Sequence, residues 1–275
     1  MTLPFSIIAA TNFSETANNA VTYAAGFAKA TGAKLTLFNA FSLSIHSANS
    51  RISAQGMQNE LNMATARLEV LAKNLSELFD IEVDYFCSYT FLEDQISTLI
   101  TNINAELVVM GMAERSFEQD LLGNSTTSVI KNLNISVLAV PKNVRFSQSK
   151  KILFAIDSLR LFSVKRFSRF LEIAKKIQSE VEFFSVGKKV EDLIEQQSQL
   201  GIEETEALEH VNFLYKSIQS NSVINEIKKE AKNYNADILV MVPQKYGFWD
   251  SLVHVSKTRI MATGLHIPLL ILRVN

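Results

Sequence analysis

The chain has 275 residues, of which 47% are hydrophobic and 20% charged, and its formal net charge is −1. This length suits two domains of roughly 100–200 residues better than one. A nucleic-acid-binding protein usually carries a basic stripe or a strongly basic domain. The basic residues are scattered here, so no nucleic-acid partner is predicted.

The single cysteine, Cys87, cannot form an internal disulfide, and one thiol is not a metal framework. A reduced compartment is the simpler interpretation. Cys87 lies in the apolar run 83–87, which predicts a buried structural thiol. The segment Met1–Phe5 lacks the features of a signal peptide, and no apolar run approaches 18 residues. We therefore expect a cytoplasmic protein without a membrane span.

Short apolar runs alternate with longer helical patterns over the first half of the chain. This alternation predicts an α/β fold in which parallel strands are joined by crossover helices. The uninterrupted apolar strands indicate a sheet covered on both faces. In chain order the predicted elements are a strand over Phe5–Ala10, a helix over Thr16–Ala30 ending at Gly32, a strand over Lys34–Phe41, a helix over Ile52–Phe79, a strand over Ile81–Tyr89, a helix ending with Ile96–Asn104, a strand over Leu107–Met110, a helix over Ser125–Leu133 and a strand over Val137–Val140.

Three apolar segments recur in the same order in the second half. An internal duplication explains the near-constant spacing and predicts two domains, residues 1–145 and 146–275, the second shorter in its middle. A solenoid would need more and shorter repeats. The matching pairs are Ile7–Asn12 with Ile152–Asp157, Ala105–Met110 with Ala236–Met241, and Ile135–Val140 with Ile267–Leu272.

The carboxyl ends of the first and fourth strands are where a doubly wound sheet binds ligands. After the fourth strand, Gly123 would allow close approach of the backbone to a ligand. Asn124, Ser125 and Thr126 follow at a helix start, whose free N–H groups attract phosphate. The same residues are equally typical of an ordinary helix N-cap, and both interpretations stay open. No Walker-type phosphate loop occurs in the sequence.

Several of these segments together resemble the universal stress protein family. The resemblance rests on Ala10–Glu15 with Ala17–Ala20, Val108–Gly111, Leu122–Gly123, Val129–Lys131 and Val137–Pro141. It spans residues 3–142 and extends more weakly over 150–274. It implies two doubly wound five-stranded parallel-sheet domains of the adenine nucleotide hydrolase-like fold, packed as a pseudo-dimer.

Some members of this family bind ATP through a glycine signature at the end of the fourth strand. By resemblance, Gly111 is its first glycine and Gly123 its last, but Glu114 stands at the second. Asn12 stands where ATP-binding members have an acidic residue, and an amide accepts hydrogen bonds more weakly than a carboxylate. The candidate set for ATP or AMP is Ala10, Thr11, Asn12, Ala40, Met110, Gly111, Arg115, Gly123, Asn124, Ser125 and Thr126.

The second half departs from the signature in the opposite way. Asp157 ends its first strand as the family pattern requires, but the bulky segment 242–249 and the glycine-free segment 252–256 replace the glycine loop. We expect no nucleotide there. Phe248 and Trp249 either anchor a partner or cover the end of the sheet between the halves.

Other candidate chemistry is sparse. No histidine pair has metal-ligand spacing, and no nucleophile-elbow sequence occurs. No metal site and no catalytic residue are therefore predicted. The histidines are His46, His210, His254 and His266.

Three functions follow from these residues and the resemblance. The first is a cytoplasmic stress-response protein with a regulatory or binding role and no strong catalysis. The alternatives are an adenine-nucleotide-binding switch that uses the first domain only, and a nucleotide-phosphate hydrolase. Val137–Val140 could pair with Leu269–Leu272 within one chain, which would cover two sheet edges. Homodimerisation of whole chains stays open.

Overall fold

The computed structural model describes residues 5–41, 54–89, 92–112, 126, 129–130, 132–147, 151–156, 164–187, 211–242 and 266–273. The strands in these ranges are β1 (Ser6–Ala10), β2 (Lys34–Phe41), β3 (Val83–Tyr89), β4 (Leu107–Met112), β5 (Ser136–Pro141), β6 (Lys151–Ile156), β7 (Glu180–Val186), β8 (Phe213–Ile218), β9 (Ile238–Met241) and β10 (Leu269–Ile271). The helices are α1 (Glu15–Thr31), α2 (Ala54–Phe79), α3 (Leu92–Ile103), α4 (Val164–Lys176) and α5 (Val223–Asn233). The α/β alternation predicted for the first half is confirmed, with most bounds shifted by one or two residues, although the predicted helix Ser125–Leu133 lies only partly within the described residues.

The strands form a ten-stranded sheet in the order β3-β2-β1-β4-β5-β10-β9-β6-β7-β8. All pairings between these strands are parallel except that of β5 with β10, where Leu270 lies opposite Leu138. The order β8-β7-β6-β9-β10 in the second half repeats the order β3-β2-β1-β4-β5 in the first. The sheet is therefore mostly parallel, and it runs without a break through both halves of the chain.

Helix α1 begins and ends where its sequence provides the appropriate caps. The hydroxyl of Ser14 accepts a hydrogen bond from the Ala17 N–H at 3.3 Å, and Gly32 ends the helix in the left-handed conformation at φ 67°. The predicted stop at Gly32 is confirmed. The small residues of α1 are buried against the sheet, which allows the helix to lie close to the strands.

Apolar side chains alternate between the two faces of the sheet. One face, with Ile7, packs against α1, α2 and α4, and the other, with Ile8, packs against α3 and α5. The central strands are buried on both sides, as predicted. The edge strand β3 is different, because Tyr85 and Phe86 are each 40% exposed. The expectation of covered faces is wrong for this strand, since it lies at the end of the sheet.

Side chains also join the two halves outside the sheet. The Arg169 guanidinium of α4 binds the Glu106 carboxylate at 2.7 Å, and the Lys176 ammonium donates to the Thr31 carbonyl oxygen at 2.6 Å. Helices α1 and α4 are therefore tied together near their ends. Within the described ranges, no helix has the length and apolar character needed to cross a membrane.

Candidate functional site

The carboxyl ends of β1 and β4 lie next to each other at the point where strand order reverses. β1 pairs with β2 on one side and with β4 on the other, and β4 pairs in turn with β5. The connections that follow β1 and β4 therefore run in opposite directions along the sheet. Such a switch point leaves a crevice beyond the strand ends in doubly wound sheets. It brings Thr11 and Asn12 to the same edge as Gly111.

Thr11 is the centre of a hydrogen-bond network at this edge and is only 5% exposed. Its N–H donates to the Phe38 carbonyl at 2.8 Å, and its hydroxyl donates to Asn18 Oδ1 at 3.0 Å and accepts from the Phe13 N–H at 2.9 Å. Its carbonyl accepts from Asn39 Nδ2 at 2.7 Å. Thr11 therefore shapes the loop between β1 and α1.

Asn12 is exposed and forms the turn that starts α1. Its Oδ1 accepts a hydrogen bond from the Ser14 N–H at 3.1 Å, an Asx-type turn. Phe13 follows at φ 62°, and the Arg67 guanidinium lies 4.3 Å from the centroid of its ring. The amide oxygen of Asn12 thus has a local backbone partner.

Gly111 lies in β4, opposite Val140 of β5. A Cβ atom on this residue would lie 2.9 Å from the Thr16 carbonyl oxygen and 3.0 Å from Thr16 Cγ2. Glycine is therefore required for the first turn of α1 to lie against β4. This packing requirement explains Gly111 without any ligand.

Thr126 is brought to the same place from a later part of the chain. Its hydroxyl donates to the Gly111 carbonyl at 3.2 Å, and the residue is 3% exposed. Of the other candidates, Ala10 and Met110 are buried, and Ala40 is partly buried opposite Ser88. The end of β4 and the helical residue Thr126 thus meet at the edge that also carries the end of β1.

Several predicted site residues lie outside the described residues, and nothing structural is said of them. They are Arg115, Gly123, Asn124 and Ser125 of the candidate set, Glu114, Asp157, Phe248 and Trp249, and the histidines His46, His210 and His254. His266 precedes β10 and is exposed.

Asn39 is a member of the edge that sequence reasoning missed. It is 4% exposed, its Nδ2 binds the Thr11 carbonyl, and its Oδ1 accepts from the Cys87 thiol at 3.5 Å. The sequence feature that could have identified Asn39 is the presence of an amide inside the apolar strand 34–41. Burial raises the pKa of the Cys87 thiol, which keeps it protonated and agrees with a structural role, although the residue is only partly buried.

A second polar cluster lies beneath α5 in the second half. Glu182 is 6% exposed, and its Oε1 has no hydrogen-bond partner among the described residues. Glu230 is equally buried and binds the Lys216 ammonium at 2.6 Å. Burial, and then the nearby Glu230 carboxylate, raise the pKa of Glu182. Across the described ranges, no group of three or more His, Cys, Asp or Glu residues could hold a metal ion.

The fold and this edge place the chain in a class: α/β proteins with a doubly wound, mostly parallel sheet and a crevice at its switch point. Residues 5–141 match the universal stress protein family. This part of the chain, which carries the switch-point edge, is therefore a universal stress protein family domain. No curated protein matches the chain.

Solved structures with the same fold cover nearly the whole chain. A universal stress protein from Archaeoglobus fulgidus DSM 4304 is 17% identical, with a TM-score of 0.75 and 98% of each chain covered. A putative universal stress protein from Pseudomonas aeruginosa UCBPP-PA14 is 16% identical, with a TM-score of 0.60, covering 98% of this chain and 93% of its own. A functionally unknown protein from Pseudomonas aeruginosa PAO1 is 15% identical, with a TM-score of 0.59 and corresponding coverage of 98% and 92%. At these identities the similarity concerns the fold alone.

Proposed function

We propose that this protein has a regulatory or binding role in stress response and no strong catalysis. One observation carries the proposal: the side chains of Thr11, Asn12, Asn39 and Thr126, which lie at the switch-point edge with Gly111, are hydroxyls and amides. Hydroxyls and amides hold a ligand by hydrogen bonds. Acid–base catalysis needs a group that titrates near the working pH.

A turnover assay tests the absence of strong catalysis. With nucleotide-free protein and millimolar ATP or AMP, we expect phosphate release no faster than in buffer alone. Phosphate release that is saturable in ATP and lost in Gly123→Val would favour the nucleotide-phosphate hydrolase and overturn the proposal.

An adenine-nucleotide-binding switch in the first half is the second candidate. The Thr126 hydroxyl on the Gly111 carbonyl favours it, because this contact brings a helical residue beside the end of β4, and the sequence predicts that this helix starts at Ser125. A helix start at that position supplies N–H groups for phosphate. The second half would then act as a fixed partner without a nucleotide of its own.

Nucleotide binding is tested by thermal unfolding of nucleotide-free protein with ATP or AMP. A ligand at 100 times its Kd stabilises the native state by about 2.7 kcal/mol. If the site follows the family pattern, Asn12→Asp restores a carboxylate and increases the ATP-dependent stabilisation. Asn74→Asp is the matched control, since it adds the same charge on the exposed surface of α2 near the end of the helix that leads to the start of β3. No stabilisation of the wild type or of Asn12→Asp at millimolar ATP would overturn this candidate.

The two halves are proposed to be domains, 1–145 and 146–275, that pack as a pseudo-dimer. The repeated strand order on either side of the β5–β10 pair supports this. Because β5 and β10 cover each other's edge, a monomeric chain leaves neither edge open to a second copy. Light scattering is expected to give the mass of a single chain, and a dimeric mass at micromolar concentration would show that another surface drives association.

A further inference from the structure

A large cavity lies at the opposite end of the sheet from the switch-point edge. It has a volume of about 1000 Å³ and is bounded by the starts of β1, β4 and β5, at Ser6, Leu107 and Ser136. Ligand sites commonly enclose roughly 300–1,000 Å³, whereas the voids left inside packed cores are rarely larger than a water molecule. The space is partly open to solvent, and its size lies at the upper end of the range for ligand sites.

The cavity belongs to both halves of the chain. Its floor includes Leu138 of β5 and Val240 of β9, together with Leu270 of β10. Its walls include Phe27 of α1 and Ile173 of α4, two helices that the hydrogen bond from Lys176 to the Thr31 carbonyl joins near their ends. Neither half alone would enclose the space. Phe27, Leu138 and Val240 are at most 5% exposed, whereas Ile173 and Leu270 are only partly buried, so the last two supply apolar surface that a ligand can reach.

The charges around the cavity decide which chemistry suits it. Among the described residues that line it, two side chains are cationic, Lys34 and Arg169, and three are anionic, Asp84, Glu106 and Glu172. The Arg169 guanidinium binds both oxygens of Glu106, at 2.7 and 3.2 Å, and Glu172 at 2.9 Å, and it lies 5.4 Å from the centroid of the Phe5 ring. The Arg169 guanidinium is already paired with two carboxylates, and the described lining carries one more negative than positive charge. The cavity is therefore unsuited to a phosphate or a carboxylate.

Polar side chains line the cavity close to the starts of β4 and β5, namely Asn104, Asn134 and Ser136. The Ser136 hydroxyl accepts a hydrogen bond from the Arg273 N–H at 3.2 Å and keeps its own O–H as a donor. Amides and hydroxyls in such a lining can orient an uncharged ligand through its hydroxyl or carbonyl groups.

We propose that this cavity binds an uncharged, mainly apolar small molecule, with its apolar body between α1 and α4 and its polar end beside Asn134 and Ser136. Burial of such a molecule is favoured because each Å² of apolar surface removed from water contributes about 25 cal/mol. The site is distinct from the switch-point edge and does not depend on nucleotide binding there.

The test uses the full chain and N-phenyl-1-naphthylamine, an uncharged probe whose fluorescence rises in apolar surroundings. We expect saturable binding of one probe per chain, unaffected by millimolar ATP. Ile173→Trp and Leu270→Trp fill the cavity from two different elements and are expected to weaken binding at least tenfold. Val70→Trp is the control, because Val70 lies on α2 and is 59% exposed.

Circular dichroism of each variant shows which ones fold, and a folded variant from either element suffices for the comparison. The anionic probe 1-anilinonaphthalene-8-sulfonate is expected to bind more weakly than the uncharged one. Three results would each overturn the proposal: no saturable binding by the wild type, undiminished binding by a folded cavity variant, or equal affinity for the anionic probe. Binding that occurs only after deletion of residues 1–4 would likewise overturn it, since that segment would then be the natural occupant.

Discussion

Gly111 is a residue at which a ligand motif and a packing constraint coincide. By resemblance it is the first glycine of a nucleotide signature, but the first turn of α1 leaves no room for a Cβ there. A substitution at Gly111 thus affects stability whether or not a nucleotide binds. The residue alone cannot serve as a marker of ATP binding in this chain.

Gly111→Ala is expected to lower the free energy of unfolding by about 1–3 kcal/mol, because overpacking forces the backbone at Thr16 to move. Urea unfolding without nucleotide measures the loss. Gly187→Ala is the comparison: its φ is 85° and its added Cβ meets nothing within 4 Å, so only backbone strain is introduced, about 1 kcal/mol. A Gly111→Ala variant as stable as the wild type would contradict the packing explanation.

Glu182 is a residue whose environment the sequence does not reveal. It alternates with apolar residues in β7, yet its side chain is buried beneath α5 near Glu230, with Lys216 and Lys151 as the nearest cations and Glu180 as a further anion. Its folded-state pKa is raised above the ordinary value of 4.5. The folded protein therefore holds the proton more tightly than the unfolded chain does, so this group costs stability as the pH rises above about 4.5.

Glu182→Gln is expected to raise the free energy of unfolding at pH 7, because the neutral amide removes the buried ionisable group. The gain should shrink as the pH is lowered and vanish below the unfolded-state pKa, where both side chains are uncharged. Denaturant unfolding between pH 3.5 and 8 measures this. Glu77→Gln, the same substitution on the exposed surface of α2, is measured alongside it as the control. If the gain in the free energy of unfolding did not change with pH, it could not be attributed to the ionisation of Glu182.

At the scale of elements, the sequence indicates the caps of α1 but not those of α5. Ser14 caps α1 with a hydrogen bond to the Ala17 N–H, whereas Ser222 precedes α5 without a side-chain cap bond. The same residue type therefore has two energetic roles. Which role it takes depends on the backbone angles at the entry to the helix.

Ser14→Ala is expected to cost about 1 kcal/mol of stability, the usual value for a lost N-cap. Ser222→Ala is the matched control and should cost less than about 0.5 kcal/mol, as for a surface substitution. Chemical denaturation of both variants provides the comparison. Equal losses would show that the Ser14 hydrogen bond adds nothing to helix stability.

At the scale of the whole molecule, the sheet couples the two halves. β5 and β10 pair in its centre, and each of the two apolar clusters, one on either face, includes residues from both halves. A break between the halves would expose apolar surface on both faces at once. The halves are therefore expected to unfold together.

Differential scanning calorimetry is expected to show one transition, with the calorimetric and van't Hoff enthalpies equal. Leu138→Ala, in the buried central strand β5, should lower the midpoint of that single transition, at a cost of about 2–5 kcal/mol. If the wild type or the variant gave two separate transitions, the halves would be independent folding units.

The sequence by itself determined the α/β class and the positions of the first-half elements, because strand and helix periodicity and the stop at Gly32 are local properties of the chain. It also placed Thr11, Asn12 and Gly111 at strand ends. Only the tertiary structure decided that Gly111 supports α1, that Asn12 is engaged in a turn, that Asn39 joins the edge and that β3 is exposed. These facts depend on which distant segments come into contact, and local periodicity carries no information about such contacts.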